Sequence, residues 1–216
     1  IDLRFPHHES EILQSECHTG HSPMANYWIH SGHLTVNKEK MSKSLDNFFL
    51  VREVIEEYSA PILRFYLLNG HYRSPIDFSD LNLKESMSAY RRLEGTYNRI
   101  VESDSKGSDK PSELLDAIDI CHNDFVSAMN DDFNTREALA SLFQLSRVAN
   151  NHTESSLESD LKEELVKTFD YYGNQVLGLF QENLGDESSQ AAMEDLIAKR
   201  DADREGKNWS ESDSNR

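Results

Sequence analysis

Apolar residues recur at a period near 3.6 through most of the chain beyond residue 80. Leu83, Met87, Tyr90, Leu93, Tyr97 and Ile100 form one stripe, and Leu114, Ile118, Cys121, Phe125 and Met129 form a second. Ala138, Leu142, Leu145 and Ala149 give a third, and Leu157, Leu161, Leu165, Phe169, Tyr172, Val176 and Phe180 a fourth. Each stripe predicts a helix with one apolar face, because side chains three and four positions apart lie one above the other. The separators SDSKGSDKPS, NDDFNT and NHTESS consist of turn and cap residues. Four amphipathic helices joined by short loops predict an antiparallel bundle.

The first 79 residues read differently. PHHESEILQSE predicts a helix from about His7 to Cys17, with Pro6 just before it. NYWIHSGHLTV is β-branched and aromatic around a glycine, which predicts two short strands or a strand and a turn. LVREVIEEY predicts one short helix and SAPILRFYLLNG another, with Ser59 as cap, Pro61 in the first turn and Gly70 just past the end. HYRSPIDFS reads as a turn-rich connector whose Ser79 is a good N-cap for the first bundle helix. A further helix is expected from about Ser189 to Glu205, followed by Trp209 and a cap-like Ser210. The charges of AKRDADREGK in that region read as a solvated face.

Composition changes this picture little, and charge changes it more. The 216 residues are 37% hydrophobic with 9 Gly and 5 Pro, as expected of a folded, mainly helical chain. Cys17 and Cys121 suggest no disulfide framework and are expected to be reduced and packed. No apolar run approaches the roughly 18 residues of a membrane span, so a soluble, cytoplasmic protein with no membrane partner is expected. The start at Ile1 reads as part of a longer polypeptide. The net charge of −17 is uneven: residues 1–102 carry 11 Lys+Arg against 14 Asp+Glu, and residues 103–216 carry 11 against 25. A nearly neutral front can still hold a local patch for a polyanion.

That patch is EKMSKSLDNFF. Lys40 and Lys43 stand three apart in a serine-containing turn after a strand, an arrangement able to wrap a triphosphate: ammonium groups supply mobile charge, and hydroxyls and backbone amides supply donors. The second constellation is His7 and Glu11. At i,i+4 on a helix they share a face and can hold two corners of a zinc tetrahedron, although spacing alone reads more readily as a surface contact. Cys17, ten residues on, lies about 15 Å along the axis and cannot complete the site.

KMSKS is the signature of class I aminoacyl-tRNA synthetases. FPHHESEILQSE, NYWIHSGHL, EKMSKSLDNFF, GHYRSPIDFS and MNDDFNTREAL together resemble the cysteinyl-tRNA synthetase family over nearly the whole chain. The resemblance implies an α/β remnant of a Rossmann-like nucleotide-binding domain followed by a mainly α-helical bundle, mostly α overall. It implies the end of the catalytic domain at 1–50, a helical connector at 51–79, a DALR-like helical bundle on the tRNA side at 80–182 and a C-terminal helix and tail at 183–216. Carried over by residue, it makes His7 and Glu11 ligands of a Zn2+ whose other two ligands lie outside this chain. It makes Lys43 the ATP-binding lysine, with Lys40, Met41, Ser42 and Ser44 completing the loop, and sets Asp2 toward the substrate amino group. Arg91, Arg92 and Arg99 become candidate tRNA contacts, or equally a solvated face.

The implied activity is that of a monomeric ligase: cysteine activation with ATP and Mg2+, then transfer to tRNA(Cys). HTGH, at His18 to His21, resembles the HIGH motif that partners KMSKS but stands too close before it to serve, so the functional HIGH half is expected upstream. Asp46 stands where the family commonly has glycine and adds an acid beside the phosphate loop. Two other readings share part of the pattern: a ligase joining cysteine to an amino sugar in mycothiol synthesis, and a truncated paralogue that binds RNA or a partner without activity. GHYRSPIDFS and MNDDFNTREAL favour the tRNA enzyme.

Overall fold

A computed structural model describes residues 3–36, 39–41, 49–103, 107–152 and 157–180. The described residues belong to one compact unit, 1–180. The chain opens with a π-helical turn, Arg4–His8, that runs into α1 (Glu9–Thr19), longer at both ends than the predicted helix. Gly20, at φ +69°, ends α1 in the left-handed conformation that favours glycine. Of NYWIHSGHLTV, only Leu34–Val36 forms a strand, β1. It pairs antiparallel with β2 (Glu39–Lys40) and parallel with β3 (Ile76–Phe78), giving the order β2-β1-β3.

Strand β3 lies in the stretch expected to be a connector. Its three residues are shorter than the runs that betray a strand by alternation, and pairing with β1 creates it. Parallel strands need a crossover, supplied here by α2 (Val51–Tyr58) and α3 (Ala60–Leu68). Ser59 joins these helices at φ +76° and makes no capping bond, so the expected cap is absent. Thr135 Oγ1 instead donates to Leu68 O at 2.7 Å, satisfying a carbonyl at the end of α3. The end of α3 comes at Leu68, two residues before Gly70.

The bundle follows as α4 (Asp80–Glu102), α5 (Ser112–Asn130), α6 (Thr135–Asn151) and α7 (Ser159–Phe169). The expected cap holds for α4, where Asn82 N donates to Ser79 Oγ at 3.3 Å; α6 is capped by Asn134, whose Oδ1 accepts from Glu137 N at 3.3 Å. Lys162 Nζ donates to Val101 O and Ser103 O at 3.0 and 2.5 Å, closing the far end of α4. The predicted stripes are the core: Leu83, Leu93, Leu114, Phe125, Leu142, Leu145, Leu161, Leu165 and Phe169 are buried, while Met87, Tyr97 and Met129 pack against it part-buried.

The fourth stripe departs from prediction. After Phe169 the helix widens into a π-helical turn, Asp170–Val176, which rotates later positions so that Tyr172 stays buried while Val176 is 42% exposed. The chain then turns back at Gly178 and buries Leu179 and Phe180. Phe65 of α3 ties the crossover to the bundle, meeting Tyr90 and Phe143 edge-on at 6.0 and 6.1 Å. The expected helix at 189–205 and Trp209 lie outside the described residues.

Candidate functional site

His7 is in the π-helical turn and Glu11 in the first turn of α1, and the expected pairing is present: His7 Nε2 lies 3.2 Å from Glu11 Oε1, both half-exposed. Two donors on one open face could fill two corners of a tetrahedral zinc site, and among the described residues no group of three or more His, Cys, Asp or Glu could hold a metal ion. The donor set therefore fits half a site. Cys17 is exposed on α1 and Cys121 is buried in α5, so neither joins it, and only Cys121 is packed as expected.

Beside the pair stands an aromatic cluster that the sequence reading missed. The His8 ring lies 5.5 Å from Trp28 and 5.3 Å from His30, and the Trp28 and His30 rings stack at 6.2 Å. His30 Nε2 is 3.3 Å from His8 Nδ1. Burial, then the neighbouring His8, Arg4 and Arg73, hold the His30 pKa below its ordinary value and favour the neutral ring. The doublet HH followed by WIH was the available sign, since rings at such spacings stack when a turn brings them together.

KMSKS begins at the sheet. Lys40 is the last residue of β2 and pairs with Thr35, and Met41 packs against the core. Ser42, Lys43, Ser44 and Asp46 lie outside the described residues, as does Asp2. Asp77, at the β3 position paired with Thr35, accepts a hydrogen bond from Thr35 Oγ1 at 2.8 Å, which ties β1, the partner of the strand where the motif starts, to β3.

The three bundle arginines come together. Arg91, Arg92 and Arg99 on α4 line one cleft of about 680 Å³ with Arg147 of α6, which the sequence reading did not single out. Beneath the cleft, buried Thr96 accepts hydrogen bonds from the lining residues Ser146, Oγ at 2.8 Å, and Asn150, Nδ2 at 3.0 Å, and Arg99 Nη2 donates to Asn150 Oδ1 at 2.7 Å. Four guanidinium groups around one concave surface make a local concentration of positive charge in a chain of net charge −17. No described helix is long and apolar enough to cross a membrane.

Comparison with known proteins agrees in order along the chain. The family described as "tRNA synthetases class I (C) catalytic domain" matches residues 1–88, and the DALR domain matches 124–181. The cysteine–tRNA ligase of Endomicrobium trichonymphae is 41% identical over 98% of this chain and 44% of its own length. That of Geobacter metallireducens is 51% identical over 69% of this chain and 32% of its own length. This chain thus spans less than half the length of the curated relatives it matches. A solved structure, the ternary complex of Agrobacterium radiobacter K84 agnB2 LeuRS with tRNA and LeuAMS, shares the fold at TM-score 0.50 and 19% identity, covering 71% of this chain and 22% of its own. With the paired His7 and Glu11, the KMSKS strand and the bundle in this order, the chain belongs to the cysteinyl-tRNA synthetase family and matches its carboxy-terminal portion.

Proposed function

We propose that this chain is the carboxy-terminal part of a monomeric cytoplasmic cysteine–tRNA ligase, supplying the KMSKS loop, half of a zinc site and the helical tRNA-contacting domain. Residues 1–50 end the catalytic domain, 51–79 connect and 80–182 contact tRNA; the C-terminal helix and tail expected at 183–216 lie outside the described residues. The observation that carries the reading is the position of KMSKS: it leaves the sheet from an edge strand that is paired to β1, in the same compact unit as the His7–Glu11 pair.

In the first step a cysteine carboxylate oxygen bonds to the α-phosphorus of ATP as the bond to the bridging oxygen breaks, and pyrophosphate leaves with the electron pair. Negative charge grows on the departing phosphates. Lys43, together with Lys40, Met41, Ser42 and Ser44 of the same motif, would stabilise that charge, which Mg2+ bound with ATP would share. Asp2, outside the described residues, would carry the charge that pairs with the substrate ammonium group. In the second step a terminal ribose hydroxyl of tRNA(Cys) takes the cysteinyl group and AMP leaves.

His7 and Glu11 would hold Zn2+ with two ligands from outside this chain, and zinc–thiolate bonding would separate cysteine from serine, which a pocket of ordinary contacts distinguishes poorly. Arg91, Arg92, Arg99 and Arg147 contact tRNA phosphates. The test is cysteine-dependent ATP–pyrophosphate exchange by the product of the gene encoding this chain. Lys43→Ala is expected to slow it by about ten- to a thousandfold. An unchanged rate in that variant, or equal rates with serine and cysteine, overturns the reading.

A further inference from the structure

HYRSP and NDDFNT, to which the proposed chemistry assigns no role, meet in the folded chain. Asp132, in the corner between α5 and α6, accepts a hydrogen bond from the Tyr72 hydroxyl at 2.7 Å. Arg73 grips the same carboxylate with both arms, Nε 2.5 Å from Oδ2 and Nη2 3.0 Å from Oδ1. The His71 ring stacks on Tyr72 at 5.0 Å, with Nε2 3.9 Å from Asp132 Oδ2. One carboxylate thus gathers three consecutive side chains of a turn far away in sequence.

The other side of that turn holds the segment between the two half-sites. Gly32 N donates to Tyr72 O at 2.6 Å, and Ile76 N donates to His33 O at 3.0 Å. Gly32 sits so close to Ser74 that any Cβ would collide with the Ser74 carbonyl. Two residues before Gly32 is His30, against His8. Just after it β1 begins, paired with the strand where KMSKS starts. Turn 71–74 is therefore the joint between the bundle corner, the histidine cluster and the KMSKS hairpin.

The joint is built for position more than for stability. Arg73 and Asp132 are 64% and 40% exposed, and ion pairs at such exposure add little to global stability, whereas a two-armed contact fixes direction. Asp132 and Phe133 stand at φ +57° and +55°, consecutive left-handed residues without glycine. Such backbone persists where its surroundings hold it, here by Phe133 N to Met129 O at 3.2 Å and Asn134 N to Ala128 O at 3.0 Å.

We propose that Asp132 is a positioning residue: by clamping Tyr72 and Arg73 it sets where turn 71–74 holds Gly32 and β3, and so where the KMSKS hairpin stands relative to the bundle. Its catalytic consequence rests on the ligase reading above, while the clamp itself does not. Asp132→Asn and Arg73→Gln, singly and together, test it in two ways. In this chain, amide hydrogen exchange at Gly32, Val36 and Ile76 is expected to speed up about tenfold in either variant, with amides inside α4 and α6 unchanged. In the ligase, kcat for pyrophosphate exchange is expected to fall about 10- to 100-fold with KM for cysteine held, and the double variant to fall no further than the worse single one. Unchanged exchange at Gly32, Val36 and Ile76, or independent additive losses, overturns the clamp. If the wild-type ligase shows no cysteine-dependent activity, the ligase reading falls and the amide-exchange arm still decides the clamp.

Discussion

The bundle and the amino-terminal segment divide stability and chemistry between them. In the bundle, Leu93, Leu114, Leu142 and Phe169 are fully buried, and the helices enclose their own core. In the segment, Arg4–His8 and α1 bury no residue at all, while Phe5, Leu13, Tyr27 and Ile29 are 79%, 65%, 91% and 65% exposed. Yet this open segment carries the His7–Glu11 pair and the histidine cluster. Hydrophobic burial thus holds the scaffold, and the metal-type donors stand where burial contributes least. The sharpest break in that contrast is Leu93→Ala against Leu13→Ala. The first is expected to cost about 2–5 kcal/mol in urea unfolding, through lost transfer energy and the cavity left behind, and the second to stay within about 0.5 kcal/mol. Equal costs would mean that α1 folds as part of the core.

The two cysteines repeat the contrast on a smaller scale. Cys121 is buried in the bundle, and burial pushes its thiol from 9.0 up to about 11. The folded chain then keeps a proton that the unfolded chain loses first. Its stabilising contribution is complete below pH 9.0 and disappears as pH rises through about 11, a loss on the order of 1–3 kcal/mol. Burial raises Tyr90, Tyr97 and Tyr172 as well, and these act in the same sense at higher pH. Urea midpoints measured from pH 8 to 11 should decline less steeply in Cys121→Ala than in the parent chain. Exposed Cys17 should label with a thiol reagent at once, and Cys121 only as the bundle opens.

Buried polarity gives a smaller effect. The Thr96 hydroxyl donates to Arg92 O at 3.0 Å and receives Ser146 and Asn150, so it is the knot of a hydrogen-bond network that spans α4 and α6 beneath the arginine cleft. Thr96→Val keeps the volume and removes the hydroxyl that accepts from Ser146 and Asn150, at an expected cost of about 1–2 kcal/mol by urea unfolding. A neutral result would mean that water or a rotated Asn150 replaces the hydroxyl.

What could be read from the chain follows the same division. The stripes of the bundle were legible because burial repeats every three or four residues over long helices, and Ser79 announces the start of α4. Strand β3 was not, since three residues form it only when β1 arrives from forty positions away. Ser59 looked like a cap, but its backbone turns to φ +76°, away from capping geometry. The His7–Glu11 pair was legible from i,i+4 spacing and a family resemblance together. The His8–Trp28–His30 cluster, Arg147 at the cleft and the Arg73–Asp132 clamp were not, because each depends on contacts between separate elements that no local pattern encodes.

The smallest expected effect tests the open side of the comparison. His7 and Glu11 offer two ligands, whereas a structural zinc site needs four, so this chain should hold the ion weakly. A ligand that binds only the folded state stabilises it by RT ln(1 + [L]/Kd), about 0.4 kcal/mol when its concentration equals Kd. Thermal unfolding of the 216-residue chain in about 0.1 mM zinc should therefore shift by less than one or two degrees, and EDTA should change nothing. His7→Ala should leave the melting curve in place, because the ring is 59% exposed and holds up no core. A shift of ten degrees that His7→Ala abolishes would mean that the chain completes the metal site from its own residues. The division between a self-sufficient scaffold and an open half-site would then be wrong.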